Sequence, residues 1–592
     1  MLAHHLNALL LGIRKRTLSL RSLVILAWLT PMLCVPFPQW CLAQQEDPDT
    51  IVVTREDIER MGFLNITDLL NQMPGVQAGS SSVALRGSYK VKVLVDGRSI
   101  NDPTSSIGGV KWGMVSLKTV ERIEILKGKG GIRFGDDSSG GVILITTTKV
   151  DAFHGNVEAY GGNYDTQNYN FNCQGSKGPF GAGISSTYST TEGYRRNDDD
   201  EKKRASAKLE YTPTDESRLS LSADYLHEDG GQPGLPDYPT PRARQTDETF
   251  SSALLAEYRE ILSRTYWNRV DRENNNVDKN LHTSIQVRKM GEDASGQLPL
   301  GGWGSVQCGA GFEIAQAEGN QFEDQEEQSY WVFLAREIPL ESLPLTFGLG
   351  LRGNFYSEFG QAINPELKTT FKQPLYTLQF TINRTNNTPS FLQRYNESSS
   401  TKPNPGLDME RATNMSLSVV PKLPEPFSAN ASLFYNVLTD AITYVRGAGG
   451  VGRYENAGEA TYKGGEASVT WKPLDALRVR TSYTYLEAIN EETGKWLAAK
   501  AKHRLGADVL YSPVPSLSLS FSVKYFSKQY TRSDNTESAP GYCIGDIRAE
   551  YAWKYGISIF SEVKNLWDKE YLYGDGYPAP PLTWVAGMSY RF

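Results

Sequence analysis

Cysteine is scarce in this chain: five in 592 residues, and no two in a C-x-x-C pair. A disulfide framework is therefore not what holds the fold together. Histidine is scarcer in proportion to its chemistry, at six. Positive charge is not in excess either. There are 61 Lys and Arg against 68 Asp and Glu, for a net charge of −7, so nucleic acid is not an expected partner. Past residue 45 no uninterrupted apolar run is long enough for a membrane helix. That excludes a helical membrane protein. It leaves open a membrane barrel, whose alternating strands average out as polar, in keeping with the mean hydropathy of −0.43. Aromatic residues are plentiful, with 31 Tyr and 11 Trp, as interface girdles of a barrel would require. A large soluble β protein is the other reading at this point.

The N-terminus separates the two. Arg14, Lys15, Arg16 and Arg21 form a basic region, and LVILAWLTPMLCV (23–35) is a short apolar run broken by Pro31. Cys41-Leu42-Ala43 ends in a small residue. This is the layout of a secretory signal peptide, 1–43, cut after Ala43. The basic region starts far in, so the true start is allowed to lie later than Met1. A lipoprotein signal is disfavoured, because Leu33 precedes Cys34 and Trp40 precedes Cys41. Cleavage leaves Cys173, Cys308 and Cys543, enough for one bridge at most.

Residues 50–149 have the pattern of a compact α/β unit. TIVVT (50–54) is a short strand. Thr54 can cap a helix with Asp57 as its acidic partner, and Gly62 suits the end of that helix. A second helix follows Asn65, with Ile66, Leu69, Leu70 and Met73 at i, i+3, i+4 and i+7, stopped by Pro74-Gly75. Strand-like VALRG (83–87) and VKVLVDG (91–97) come next, the latter ending in an Asp96-Gly97 turn. NDPTSSIGG (101–109) is expected to be an irregular polar loop.

From about residue 151 strict two-residue alternation recurs and helical periodicity nearly vanishes. Leu219, Leu221, Ala223 and Tyr225 alternate with Ser220, Ser222 and Asp224. Leu345, Phe347, Leu349 and Leu351 alternate with Thr346, Gly348 and Gly350. Leu517, Leu519, Phe521, Val523 and Tyr525 alternate with serines and Lys524. A soluble sandwich shows the same pattern. The last strand favours a barrel: Trp584, Ala586, Met588, Tyr590 and Phe592 share one face, where a soluble domain usually carries a frayed polar tail. Residues 151–592, at about 20 per strand and connection, hold about 22 strands, the size at which outer-membrane transporters carry a plugged lumen.

One stretch between these regions invites a phosphate reading: VERIEILKGKGGIRFGDDSSGGVILITTTK (120–149). A P-loop needs Ser or Thr after its lysine, but Gly130 follows Lys129. A dinucleotide loop needs a third glycine where Arg133 stands, and a helix where GGVILITTT reads as strand. Strand (122–126), glycine-rich turn, strand (142–148) fits better.

That same stretch resembles the plug segment of TonB-dependent outer-membrane receptors, where V-E-R-I-E-[VI] leads through a glycine-rich turn to G-G-V-I-N-I-I-T. ITDLLNQMPGV (66–76) and VLVDGRSIN (93–101) match other plug pieces. PSFLQRY (389–395), NPGLDMER (404–411), YENAGEATYKGGE (454–466), SYTYLEA (482–488), VKNLWDKEY (563–571) and GYPAP (576–580) match the barrel in order. The resemblance implies a membrane β-barrel of about 22 antiparallel strands (150–592) with an N-terminal α/β plug domain (50–149) in its lumen. A short periplasmic segment (44–49) would precede the plug. Arg86, Glu124 and Lys127 resemble charged plug positions that pair with the barrel wall, Lys127 standing where the family usually has arginine. Tyr590 and Phe592 would be read by the barrel assembly machinery.

The resemblance implies active import of a large, scarce solute, energised by TonB and its inner-membrane complex. The plug apices would contact the ligand through Gln77, Ser80, Ser81, Asn101, Asp102, Thr104 and Ser105. Asp49, Thr50, Ile51, Val52 and Val53 look like the coupling segment called the TonB box. Yet REDIERMGF follows at once, as it does after the first plug strand in the family, so this segment is either box, strand or both. A ferric siderophore ranks first as ligand, cobalamin second and haem third, because His154, His227, His282 and His503 form no obvious axial pair. No resident cofactor is expected. The acidic run 198–201 suits Ca²⁺ on an outer loop or, more simply, a solvated loop. The protein would be a monomer embedded in outer-membrane lipid. An enzyme is disfavoured: G-x-S-x-G is absent and His227-Glu228 lacks the second histidine of a zincin. A passive porin has no use for the α/β unit, and a signalling or adhesion receptor of the same fold would need an extra N-terminal domain.

Overall fold

The computed structural model describes residues 50–592 apart from 107, 302–303, 341 and 448–450. The expected leader, the segment 44–49 and with it Asp49 fall outside these residues. No helix among the described residues is long and apolar enough to cross a membrane. The crossing elements are strands.

The N-terminal unit runs β1 (Ile51–Thr54), α1 (Arg55–Met61), α2 (Ile66–Leu70), β2 (Val76–Ala78), β3 (Val83–Leu85), β4 (Val91–Val95), β5 (Arg98–Ser99), β6 (Asn101–Asp102), β7 (Gly109–Val110), β8 (Val120–Lys127), α3 (Gly131–Phe134) and β9 (Gly141–Thr147). Its sheet has the order β1-β8-β9-β4-β5, with β4 and β9 parallel. Thr54 caps α1 in a capping box with Asp57, and Gly62 ends it at φ +67°. α2 stops at Leu70, three residues short of its apolar pattern, because Pro74 disfavours helix just before it. The chain continues in tight turns, and Met73 is still buried in the core with Leu69, Ile123, Ile125 and Ile143. Two further differences from expectation are local. The glycine-rich turn winds into the short helix α3. The polar loop 101–109 is a small hairpin, β6 paired with β7. The glycines are structural: a Cβ on Gly141 (φ +130°) would lie 2.1 Å from the Leu126 carbonyl oxygen, and one on Gly131 would lie 2.5 Å from Thr385 of the surrounding wall.

Twenty-two antiparallel strands close into one barrel around this unit, with the two-residue piece Lys495–Trp496 paired beside Leu477–Asn490. The alternation faces outward. Leu219 and Leu221 are 42% and 48% exposed, while Ser220 between them is 5% exposed. A sandwich would bury the leucines; a barrel in lipid shows them. Short turns such as 178–179, 215–216 and 475–476 mark one end, which is the periplasmic one by that asymmetry. Outward aromatic pairs ring it: Phe180 with Tyr211 at 4.8 Å, Phe427 with Trp471 at 6.2 Å and Tyr551 with Trp553 at 5.8 Å. The longer connections, among them 388–409, 491–502 and 565–582, lie at the other end.

The last strand, Thr583–Arg591, closes the barrel on the first, His154–Gly162. Gly155 and Phe592 exchange backbone hydrogen bonds of 2.9 and 3.1 Å across the seam. Their contact leaves no space: a Cβ on Gly155 would sit 2.3 Å from the Phe592 ring. Gly155→Val is therefore expected to open the seam at a cost of about 1–3 kcal/mol, the usual price of overpacking. A lower unfolding temperature of the barrel, read from the gel mobility of unboiled samples, measures it; unchanged mobility would show that Phe592 swings clear.

Candidate ligand vestibule and the plug anchors

The plug is tied to the wall by buried charge. Arg86 is 1% exposed, and Glu466, on the wall strand Ala460–Leu474, is 5% exposed. Glu466 Oε2 accepts from Arg86 Nη2 at 3.4 Å and, more closely, from Lys127 Nζ. Arg86 also donates to Ser432 Oγ at 2.9 Å and stacks 4.7 Å above the Phe434 ring. Two of the expected charged positions thus share one wall carboxylate, and the lysine makes the closer contact of the two.

Glu124 is a correction. It pairs inside the plug, with Arg122 at 2.6 Å. The reason is strand alternation: Ile123, Ile125 and Lys127 share the buried face of β8, and Glu124 lies on the other. Wall contacts that the sequence did not suggest are spread around the barrel. Arg98 pairs with Asp224 at 2.7 Å, Asp57 with Arg478 at 2.7 Å, and Lys118 with Glu158 at 2.7 Å. Asn383 donates to the Gly128 carbonyl at 2.8 Å, and the Tyr356 hydroxyl donates to Asp136 at 2.8 Å.

The two plug hairpins meet at the long-loop end. Val110 N donates to the Ser81 carbonyl at 2.8 Å, and Gln393, on the loop helix Phe391–Tyr395, donates to the Ser106 carbonyl at 2.9 Å. The seven apex positions divide. Ser80 and Ser81 are exposed at the tip between β2 and β3, and Gln77 and Ser105 are half-buried. Asn101 instead clamps β4, accepting from Val93 N and donating to Val91 O, both at 2.8 Å. Asp102 accepts from Thr104 N at 2.9 Å and from Arg272 of the wall at 2.7 Å, while Thr104 is 1% exposed. Those three build the hairpin and fasten it.

Above the β2–β3 tip the wall and loops contribute groups that no sequence period marked. Arg504 donates to the Val76 carbonyl at 2.6 Å and lies 4.7 Å over the Phe526 ring. Phe526 stacks on Tyr542 at 5.0 Å, Tyr542 contacts Tyr571 at 4.2 Å, and Tyr573 meets Tyr571 edge-on at 5.8 Å. Lys500 projects from the loop 491–502 onto the plug residue Tyr89. The signal in the sequence was the basic run Lys495, Lys500, Lys502, Arg504 beside a tyrosine-rich tail, which has no fixed spacing. The histidines lie elsewhere. His503 stacks on the outward Tyr483, His227 follows the inward Leu226, and His154 and His282 are exposed. The acids of the run 198–201 are ion-paired: Asp198 with Arg195, Asp199 with Arg244, Asp200 with Lys202 and Glu201 with Lys203. Among the described residues no group of three or more Asp, Glu, His or Cys is placed to hold a metal ion.

Plug and wall pack closely. The cavity between Met61 and Phe63 of the plug and Arg480, Asp508 and Arg548 of the wall holds about 40 Å³, room for a water or two. A closed 22-stranded barrel filled by an anchored α/β plug defines a gated outer-membrane receptor. Family models agree: residues 150–566 match the TonB dependent receptor-like β-barrel, and residues 43–142 match the TonB-dependent receptor plug domain. The chain belongs to the TonB-dependent receptors, and the barrel belongs in the outer membrane. It is 23% identical over 567 residues to the vitamin B12 transporter BtuB of Photobacterium profundum, covering 91% of this chain and 92% of that one. It is 24% identical over 625 residues to the iron-regulated outer membrane virulence protein of Vibrio cholerae, covering 93% of each. Its fold matches the ferric enterobactin receptor PfeA of Pseudomonas aeruginosa with a TM-score of 0.79 at 18% identity, over 92% of this chain and 98% of that one.

Proposed function

We propose that this receptor imports a ferric siderophore across the outer membrane, driven by TonB and its inner-membrane complex. The observation that carries the ligand class is the vestibule floor. There Arg504 lies over an aromatic cluster (Phe526, Tyr542, Tyr571, Tyr573) in which Phe526 and Tyr542 are buried and Tyr573 is exposed, Lys500 lies over Tyr89 of the plug, and the histidines lie away from both. Ferric siderophores are often anionic and often carry aromatic donors, which such a floor can hold by charge and by ring contact. The same histidine placement argues against haem, which needs an axial ligand. Cobalamin stays as the second reading, because the B12 transporter relative aligns over nearly the whole chain.

In this reading Ser80, Ser81, Gln77 and Ser105 meet the ligand from the plug. The leader is removed after Ala43, the wall runs from 150, Tyr590 and Phe592 serve assembly, and the receptor works as a monomer. Uptake of labelled ferric siderophores and of labelled cobalamin, by cells with and without the protein and an uncoupler, tests the ligand class. Uptake of a siderophore that the uncoupler abolishes is the expected result; cobalamin uptake alone would transfer the protein to the second reading.

The apex assignment makes a separate prediction. Ser81→Trp is expected to lower ligand affinity about tenfold or more by filling the exposed tip. Asp102→Asn is expected to leave affinity within about twofold while weakening the plug by about 1–3 kcal/mol through its hydrogen bond to Arg272. Binding titrations paired with plug protease protection separate the two. The reverse pattern would make Asp102 the ligand contact.

A further inference from the structure

The loop 491–502 turns sharply before it rejoins the wall. Ala499 is left-handed, at φ +60°, and its amide donates to the Tyr530 carbonyl at 2.8 Å. The turn sends the next side chain inward. Lys500 is 6% exposed, and its Nζ sits 3.6 Å from the centre of the Tyr89 ring. Tyr89 belongs to the plug and adjoins the second hairpin: its carbonyl oxygen lies 3.3 Å from where a Cβ on Gly108 would stand. Lys500 Nζ has no hydrogen-bond partner among the described residues. Burial alone pushes its ammonium down to about 7, with no acid beside it to restore the charge. A ring face replaces only part of the hydration that a lysine loses on burial.

A second buried polar atom at the same loop junction also lacks a partner. Gln529 is 1% exposed, and its Oε1 has no hydrogen-bond partner among the described residues. Gly574 of the loop 565–582 packs between the two: a Cβ there would lie 2.5 Å from Gln529 Oε1 and 2.7 Å from Ala499 Cα. Three loops therefore meet at this junction, which carries one buried donor and one buried acceptor that have no hydrogen-bond partner among the described residues. Native proteins rarely leave such groups unpaired without a functional reason.

We infer that Lys500 and Gln529 form a subsite for an anionic oxygen of the imported ligand, in which Lys500 leaves the face of Tyr89 for the ligand when the receptor fills. Gln529 Oε1 receives a hydroxyl or amide N–H of the same ligand. The inference rests on the import reading above and adds to it a means of reporting occupancy. The empty receptor has a Lys500–Tyr89 contact that the filled one loses, and a ligand shifts a conformation only through such a difference between states. The contact joins an outer loop to the plug, so its loss is felt where coupling must begin.

The test uses the full-length receptor, purified in detergent. A ferric tris-catecholate (anionic) and a ferric tris-hydroxamate (neutral) are titrated against tyrosine and tryptophan fluorescence. Lys500→Met is expected to weaken the anionic complex about 10- to 100-fold, the size of one lost charge-assisted hydrogen bond, and to leave the neutral one unchanged. Lys500→Arg is expected to recover most of the loss. Tyr89→Leu is expected to bind the anionic complex at least as tightly as wild type while cells import it more slowly, a split that a merely structural contact would not produce. Equal affinity of wild type and Lys500→Met for the anionic complex overturns the inference, as does normal import by Tyr89→Leu. If Lys500→Met does not fold, Lys500→Arg and Tyr89→Leu decide alone. Wild type binding neither iron complex overturns the siderophore reading instead. Lys500 is then followed directly, by NMR of ¹³C-methylated lysines during titration with cobalamin and with inorganic phosphate. A shift of its signal keeps the subsite, and no shift with either ends it.

Discussion

Glu466→Ala is expected to turn this closed receptor into a leaky one. The substitution leaves Arg86 and Lys127 facing each other without their shared carboxylate, in a site where Arg86 is 1% and Lys127 is 3% exposed. Removing one partner of a buried ion pair costs about 3–5 kcal/mol, because the remaining charge keeps its desolvation and loses its compensation. Here two buried cations lose the carboxylate they share, so a cost within that range applies. The wall strand should still form, since Glu466 points inward and its register with Ser432 and Thr484 depends on backbone pairing. The loss falls on plug docking. Planar-bilayer conductance and entry of a large antibiotic into cells should both rise, and protease should reach β8 and β9.

Two controls make that outcome specific. Glu466→Leu combined with Arg86→Met and Lys127→Met removes all three charges, and an apolar replacement of a buried ionic cluster is often neutral or better. The triple variant should close again. Gly75→Ala approaches from the other side: its Cβ would stand 1.7 Å from Glu466 Oε1 and its φ of +74° is strained for alanine, so the carboxylate is pushed off the cations without being removed. It should leak less than Glu466→Ala. A Glu466→Ala receptor as tight and as protease-resistant as wild type would show that the remaining wall contacts hold the plug unaided.

The sequence made the barrel legible because period-two alternation is a wall property, independent of what fills the lumen. It could not say which face met lipid until the last strand and the leader were weighed, and Leu221 outside with Ser220 inside is that choice made visible. Plug capping was equally local: Thr54, Asp57 and Gly62 act within one helix and one turn. The anchor was half legible. Arg86 and Lys127 stood out in the plug motif, but their acceptor lies over three hundred residues away on the wall, and only alternation within β8 could have set Glu124 aside. The apex residues were chosen for polarity, a property that Asn101 and Asp102 need for fastening the hairpin as much as Ser81 needs it for meeting solvent. Lys500 stood in a basic run, but nothing there set it apart from its neighbours. Its importance comes from being buried without a partner, and burial in a loop has no period.

A disulfide between β1 and β8 is expected to stop import outright and reversibly. β1 is a four-residue edge strand, and its Val52 stands opposite Glu124 in the antiparallel pair. Opposed residues on such strands have Cβ atoms about 4.5–5.5 Å apart, close enough for a bridge with slight adjustment. Both side chains are half-buried, whereas Val53 is in the core, and the Arg122–Glu124 pair lost in the exchange is partly solvated, at 35% and 29% side-chain exposure, so Val52→Cys with Glu124→Cys should cost little stability. The free Cys173, Cys308 and Cys543 are replaced beforehand to prevent mispairing. If TonB takes up Ile51–Thr54 as an added strand, β1 must first leave β8, and an edge strand this short is the plug element most easily released. The oxidised receptor should then bind ligand normally and import none, and a reductant should restore import. Import that survives oxidation would mean that β1 stays in the plug sheet during coupling and that the strand offered to TonB comes from the chain before Thr50.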